Sequence, residues 1–260
     1  EKTIRTKRTV KAMFRIISHA REKVSLFSGI TDVNQPKEYD VDKLLEIIRD
    51  GTYYHLKLKV EAVRSAGTKD EKNRKKALLP VVTWNGTFRS RHKNECTVYS
   101  SYTALDFDHI EPEDMSAFAG WLQGFPCVYA CFVTPGGTGY KAIIIHDNCE
   151  PLYHYDLYGQ LLKMFDCPWI DNSTTDLARG NYLSYDPALW KNPASVPFHF
   201  VPTTSEPVIP DTMTETVIRD VQGEPVLVQD ESWVEGFLNR LNRQVISDDS
   251  IIRILRKAWN

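Results

Sequence analysis

The sequence predicts an α+β fold: an antiparallel-rich sheet covered by helices, with an N-terminal α/β extension and a small C-terminal helical module. Three observations carry that expectation. Between residues 79 and 190, runs with strand and helix patterns succeed one another as strand, helix, hairpin, helix, strand. Two apolar runs, CVYACFVT and YKAIIIH, are joined by a short glycine-rich loop, PGGTG, which reads as a hairpin. Stretches such as DVDKLLEIIRDG place apolar residues at helical spacing between a polar start and a glycine stop.

In chain order, Val10, Met13, Phe14 and Ile17 recur as one apolar helix face would, and residues 23–27 form a short strand. Val41, Leu44, Leu45, Ile47 and Ile48 line a helix that Gly51 stops. The stretch HLKLKVEAVRSAGTKDEKNRKKALLP reads as helical, then basic and polar; LLPVVTWNGTF and TVYSSYTALDFDHI read as strands. The helix EDMSAFAGWLQGF is capped near Glu113 or Asp114, and the helix LYHYDLYGQLLKMF follows the hairpin. This order implies a sheet covered on one face. Residues 1–190 are expected to form the main domain, with a basic portion 1–95 and an acidic portion 96–190. Residues 191–230, rich in proline, are a linker or a strap, and 231–260, with SWVEGFLNRLNRQ and DDSIIRILRKAW, a helical module. The opening on Glu1 and the uncapped end at Asn260 suggest a piece of a longer protein.

Composition narrows the function. The 260 residues are 42% apolar and 25% charged, as a globular domain requires, and no run of about 18 apolar residues is present to span a membrane. The N-terminus lacks a secretory pattern, so a cytoplasmic protein without a membrane partner is expected. Five cysteines without a C-x-x-C pair signal neither a zinc ribbon nor a disulfide framework, and are read as buried free thiols. The net charge of −2 speaks against a basic nucleic-acid binder, but it is a sum of unlike parts. Residues 1–95 hold 22 Lys plus Arg against 12 Asp plus Glu; residues 96–190 hold only Lys141, Lys163 and Arg179 against 12 acidic residues.

Three constellations bear on chemistry. In TALDFDHI, Asp106 and Asp108 are two apart, so on a strand they project from one face while Leu105 and Phe107 enter a core. Adjacent carboxylates suit oxygen-ligated Mg²⁺ or Mn²⁺, the alternative being an exposed strand end. In TPGGTGYKAIIIH, Gly136, Gly137 and Gly139 leave backbone N–H groups open to phosphate and Lys141 adds a charge, the alternative being an ordinary hairpin turn; the spacing is not that of a Walker loop. In WIDNSTTDLARGNYLSYDP, Asp171 or Asp176 offers a third carboxylate and Arg179 a cation, the alternative being a capped turn with a structural ion pair. Separately, Lys72, Arg74, Lys75 and Lys76 form either a solvated face or a phosphate-tracking patch.

In this order the three motifs resemble those of the archaeo-eukaryotic primase and primase-polymerase superfamily, and LLPVVTWNGTF, ALDFDHI, TPGGTGYKAI and DLARGNYLSYDP look like its VirE N-terminal-type domain, found in replication proteins of bacterial mobile elements and phages. The resemblance spans roughly residues 23–190. It implies an RRM-like catalytic core and a DNA primase-polymerase that adds dNTPs or NTPs to a 3′-hydroxyl on a single-stranded DNA template or primer-template. It further implies two divalent ions, Mg²⁺ or Mn²⁺, held by Asp106, Asp108 and Asp171, and an accompanying helicase in the same protein or operon. Lys141 stands where the superfamily usually has histidine and would contact the incoming phosphates, with Thr134, Gly137 and Thr138 shaping the turn and Arg179 holding the triphosphate. Residues 1–95, through Lys72, Arg74, Lys75 and Lys76, become the candidate template surface.

Overall fold

The computed structural model of the chain describes residues 22–203, which lie within one compact unit, Lys11–Glu206. The helix face expected at Val10 to Ile17 and the helices expected after residue 231 lie outside the described residues. The described part is mixed α and β with antiparallel sheets, as expected. It opens with β1 (Lys23–Phe27) and β2 (Lys37–Asp40), then α1 (Val41–Asp50). All five apolar residues of the α1 stripe are buried, and Gly51 ends the helix in the left-handed region at φ 68°, its N–H donating to Ile47 O at 2.9 Å.

Helices α2 (Leu56–Arg64) and α3 (Lys69–Lys76) follow. α2 buries Leu56, Val60 and Val63, whereas α3, KDEKNRKK, buries none of its residues. Its cap explains how so polar a segment forms a helix. Thr68 Oγ1 accepts from Glu71 N–H at 3.2 Å, satisfying one donor that a helix start leaves open, and Glu71 reaches back to the N–H of Gly67, just before the cap, at 3.0 Å.

Two four-stranded sheets come next. One has the order β2-β1-β3-β9, with β3 (Val81–Thr83) and β9 (Asn181–Tyr182); the other has the order β10-β7-β8-β6. The latter comprises β6 (Tyr102–Phe107), the hairpin β7 (Val128–Val133) and β8 (Tyr140–Ile145), and β10 (Trp190–Lys191). A two-stranded pair, β4 (Gly86–Phe88) and β5 (Cys96–Tyr99), completes the set. Helices α4 (Met115–Gln123) and α5 (His154–Met164) lie where the sequence predicts them.

One expectation is corrected. The β6 sheet is covered on both faces, not one. Leu105, Phe107, Val128, Ala142 and Ile144 pack with Phe118 and Leu122 of α4 and Leu157 and Leu161 of α5. From the opposite face, Tyr102, Ala104, Phe132, Ile143 and Ile145 join a core with Val24, Leu26 and Val82 of the first sheet and the apolar stripes of α1 and α2. The alternation of β6 and β8 therefore separates two apolar faces, as strands buried on both sides require. Downstream of β10, Phe198 and Phe200 pack against the α4 and α5 core. All five cysteines are free; Cys127 and Cys131 are buried and the other three half-buried. Burial pushes the Cys127 thiol up to about 11 and that of Cys131 to about 12, so both stay protonated near neutrality. Among the described residues, no helix is long and apolar enough to cross a membrane.

Candidate functional site

The site forms where the core between the two sheets runs out. Along β6, Tyr102 and Ala104 point into that core; Asp106 is the next residue on the same side and Asp108 follows just past the strand end. A two-residue period thus turns an apolar face into a carboxylate face. The edge of β6 is covered by residues 169–171, through a single antiparallel bridge between Phe107 and Ile170. Asp108 N–H donates to Trp169 O at 2.8 Å and Asp171 N–H to Asp106 O at 2.9 Å, which lays the backbone at Asp171 alongside Asp106. Asp176 is engaged elsewhere: its Oδ1 accepts from Ala178 N–H at 3.0 Å and its carbonyl from Arg179 N–H at 2.9 Å, closing a turn.

Asp106 and Lys141 are cross-strand partners in the β6–β8 register. The Lys141 ammonium is ion-paired with Asp106 and donates to Asn181 Oδ1 at 2.6 Å. Lys141 is only 3% exposed. The resemblance assigns it to the incoming phosphates; here its charge is taken up by Asp106. The reason is local: a buried ammonium without a counter-ion is strongly destabilising, and the register supplies a carboxylate. Asn181 was not singled out in the sequence, although it lies within the ARGNY segment; Tyr158 is a second buried polar neighbour, bonded to Thr174 Oγ1 at 2.6 Å.

The hairpin loop is tightly closed. Thr134, itself buried, donates its N–H to Gly139 O at 2.9 Å and accepts from Gly137 N–H at 3.0 Å, while Thr138 O accepts from Ile110 N–H at 3.0 Å. The Gly137 N–H is therefore committed within the turn, and at φ 83° this residue needs the freedom of glycine. Gly139 is needed for close approach, since a Cβ there would stand 2.2 Å from Phe107 O and 3.1 Å from Asp108 Oδ1.

The basic cluster divides between two directions. Lys75 pairs with Glu71 at 2.6 Å and Arg74 is exposed. Lys72 and Lys76, four residues apart and so on one face of α3, reach over the loop; each ammonium lies 3.6 Å from the point a Gly136 Cβ would occupy. Arg64, at the end of α2, stacks its side chain 3.5 Å from the Cβ position of Gly137 and donates to Thr134 O at 3.3 Å and Tyr185 O at 2.9 Å. No sequence signal marked Arg64, a single charge ending an amphipathic helix. The basic portion and the acidic portion thus meet at the loop.

Electrostatics register that meeting. Burial, then the Asp106 charge, raise the pKa of Asp108, with Lys141 and Lys76 opposing. For Asp171, burial acts upward but is outweighed by hydrogen bonds to Oδ1 from Ser173 N–H at 2.8 Å and Ser173 Oγ at 2.7 Å, with help from Arg179 and Lys141, so its pKa is lowered. Burial and the neighbouring Lys72 depress the pKa of Lys76, while Asp108 and Asp106 act the other way. Arg179 is exposed.

The oxygen donors of Asp106 and Asp108, crowded enough to perturb Asp108, suit a hard divalent cation. As they stand, no three His, Cys, Asp or Glu side chains among the described residues converge to hold one. Lys141 balances the charge of Asp106 and Ser173 engages one oxygen of Asp171. A separate hollow of about 340 Å³, lined by Phe118, Trp121 and Trp169 between Asp114 and Asp166, lies on the α4 side.

Fold and site together define an α+β domain with a carboxylate and lysine cluster at the open end of a two-sheet core. A family model described as BT4734-like, N-terminal domain, matches residues 73–190, a stretch that includes β3 through β9, all three carboxylates, Lys141 and the glycine loop. Neither the curated proteins nor the solved structures contain a match to the chain.

Proposed function

We propose that this chain is a template-dependent nucleotidyltransferase, a DNA primase-polymerase of the archaeo-eukaryotic type. The observation that carries the reading is the side-by-side carboxylates of Asp106 and Asp108 facing a glycine loop overhung by cations. Acidic and basic groups gathered around one solvent-facing point suit a substrate that is itself a metal-chelated polyanion. Asp106 and Asp108 would hold the divalent ions, with Asp171 adding a carboxylate oxygen not engaged by Ser173. When bound, Mg²⁺ or Mn²⁺ lowers the pKa of the attacking 3′-hydroxyl and neutralises the triphosphate.

The chain's own residues then have separate tasks. Lys141, fixed by Asn181, orients the Asp106 carboxylate. Arg179, exposed in the turn before β9, acts electrostatically on Asp171 and would meet the leaving pyrophosphate. Thr134, Gly137 and Thr138 hold the loop close to the strand end, beside Asp108. The 3′-oxygen attacks the α-phosphorus and the bond to the bridging oxygen of pyrophosphate breaks, lengthening the strand by one nucleotide.

A 5′-labelled primer annealed to a longer template, incubated with dNTPs and Mg²⁺ or Mn²⁺, tests this. Lengthening of the label is the expected outcome. Shortening would make the same carboxylates those of a phosphodiesterase, and a bound but unaltered strand would leave only a nucleic-acid-binding module.

A further inference from the structure

The lysines of α3 that face the loop have a geometry poorly suited to tracking a strand. A patch that follows a nucleic-acid backbone spreads its charges over an exposed surface. Lys72 and Lys76 are half-buried and both ammoniums hang over the same point, Gly136, with Arg64 beside Gly137. Among the described residues, neither lysine forms a salt bridge, although Lys75 on the next face has its glutamate at 2.6 Å. Like charges held together without a counter-ion are destabilising unless an anion is shared between them. No side chain at Gly136 stands between the two ammoniums and the loop, and the charges of Asp108 and Asp106 act on Lys76. A compact anion carrying several charges, bound to a divalent cation on one side and to ammoniums on the other, matches that arrangement.

We propose that Lys72 and Lys76, assisted by Arg64, form a polyphosphate grip over Gly136 that binds the terminal phosphates of a metal-chelated nucleoside triphosphate. The four-residue basic cluster is then divided: Lys72 and Lys76 serve the nucleotide, Lys75 is paired with Glu71, and Arg74 is left exposed for a strand. The nucleoside part of this assignment rests on the nucleotidyl-transfer reading; the polyphosphate part does not. Because the lysines come from a helix outside the three motifs, they tie the basic N-terminal portion to the substrate and not solely to the template.

Calorimetric titration of the full chain in Mg²⁺ with dATP, dAMP and inorganic tripolyphosphate, alongside a labelled single strand, separates the possibilities. In K72A/K76A, affinity for dATP and tripolyphosphate should fall by about tenfold or more, the loss of two charge-assisted contacts, with affinity for dAMP and the strand nearly unchanged. K72R/K76R should restore most of the triphosphate affinity, and R74A/K75A should not reduce it. Unchanged triphosphate affinity in K72A/K76A, a loss confined to the strand, or a wild-type chain that binds no tripolyphosphate would overturn the grip. If tripolyphosphate binding depends on the two lysines but no strand is ever lengthened, the grip stands and the nucleotidyl-transfer reading falls.

Discussion

Asp106→Asn will destabilise the fold by about 3 kcal/mol, whereas Asp108→Asn, two residues away at an exposed position, will leave it nearly unchanged or slightly more stable. The two carboxylates look equivalent in the sequence and are opposites in the structure. Asp106 neutralises Lys141, whose side chain is 4% exposed, so removing its charge strands an ammonium in the mouth of the core, a loss of the size seen when one member of a buried pair is deleted. Lys141→Met combined with Asp106→Asn should recover much of that loss, since no isolated charge remains. Asp108 is in the reverse position. Its pKa is raised by burial and by Asp106, so its ionised form weighs against folding. A raised carboxyl pKa favours the folded state at low pH, and the advantage is lost as pH rises through the folded value. Because Asp108 is exposed, solvent screens that effect; any gain from Asp108→Asn should be small, absent in acid and present near neutrality. Urea denaturation at acid and neutral pH with a chelator present measures both variants; stabilisation by Asp106→Asn would refute the pairing with Lys141.

Gly139→Ala will destabilise the domain by about 2 kcal/mol and displace the carboxylate end of β6. The methyl would stand 2.2 Å from Phe107 O, a backbone atom that cannot swing away as a side chain can. Relief requires β8 to part from β6 at the Phe107 and Tyr140 pair, which also moves Asp108. Gly136→Ala is the internal control. Its methyl meets only the ends of Lys72 and Lys76 at 3.6 Å, so stability should change by no more than about 0.5 kcal/mol. Equal denaturation midpoints for the two variants would remove the close approach at Gly139 from the account.

Local pattern made the hairpin, α1, α4, α5 and the strand carrying Asp106 legible, because their apolar periods are long and their punctuation clear. It failed where neighbours in sequence part company in space. LLPVVTWNGTF reads as one strand, but β3 and β4 enter different sheets, with Thr83 Oγ1 donating to Gly86 O at 3.2 Å across the turn. TVYSSYTALDFDHI likewise divides at its serines, where Ser100 Oγ donates to Trp84 O at 2.6 Å and lets β5 and β6 diverge. Strands as short as β3 and β9 carry too few residues to show a period, so the second sheet behind β6 had no signature. The site followed the same division. Asp106 and Asp108 were readable from the alternation within one strand, and Lys141 from its place in the hairpin; that β8 pairs with β6 and sets Lys141 opposite Asp106 is a non-local register. The counterparts from remote segments, Asn181, Arg64 and the inward turn of Lys72 and Lys76, depend on tertiary packing that no spacing encodes.

The most direct test compares the initial rate at which wild type and Asp108→Asn add one α-labelled dNTP to a templated 3′ end in Mn²⁺. The variant is expected to be at least as stable as wild type, so lost activity cannot be lost fold. Even groups that only support a metal ligand contribute roughly 10- to 100-fold, and a direct ligand should exceed that. The account predicts templated addition by wild type and a decrease of more than about a hundredfold in Asp108→Asn. Addition by the variant at the wild-type rate, or none by either protein, would contradict it.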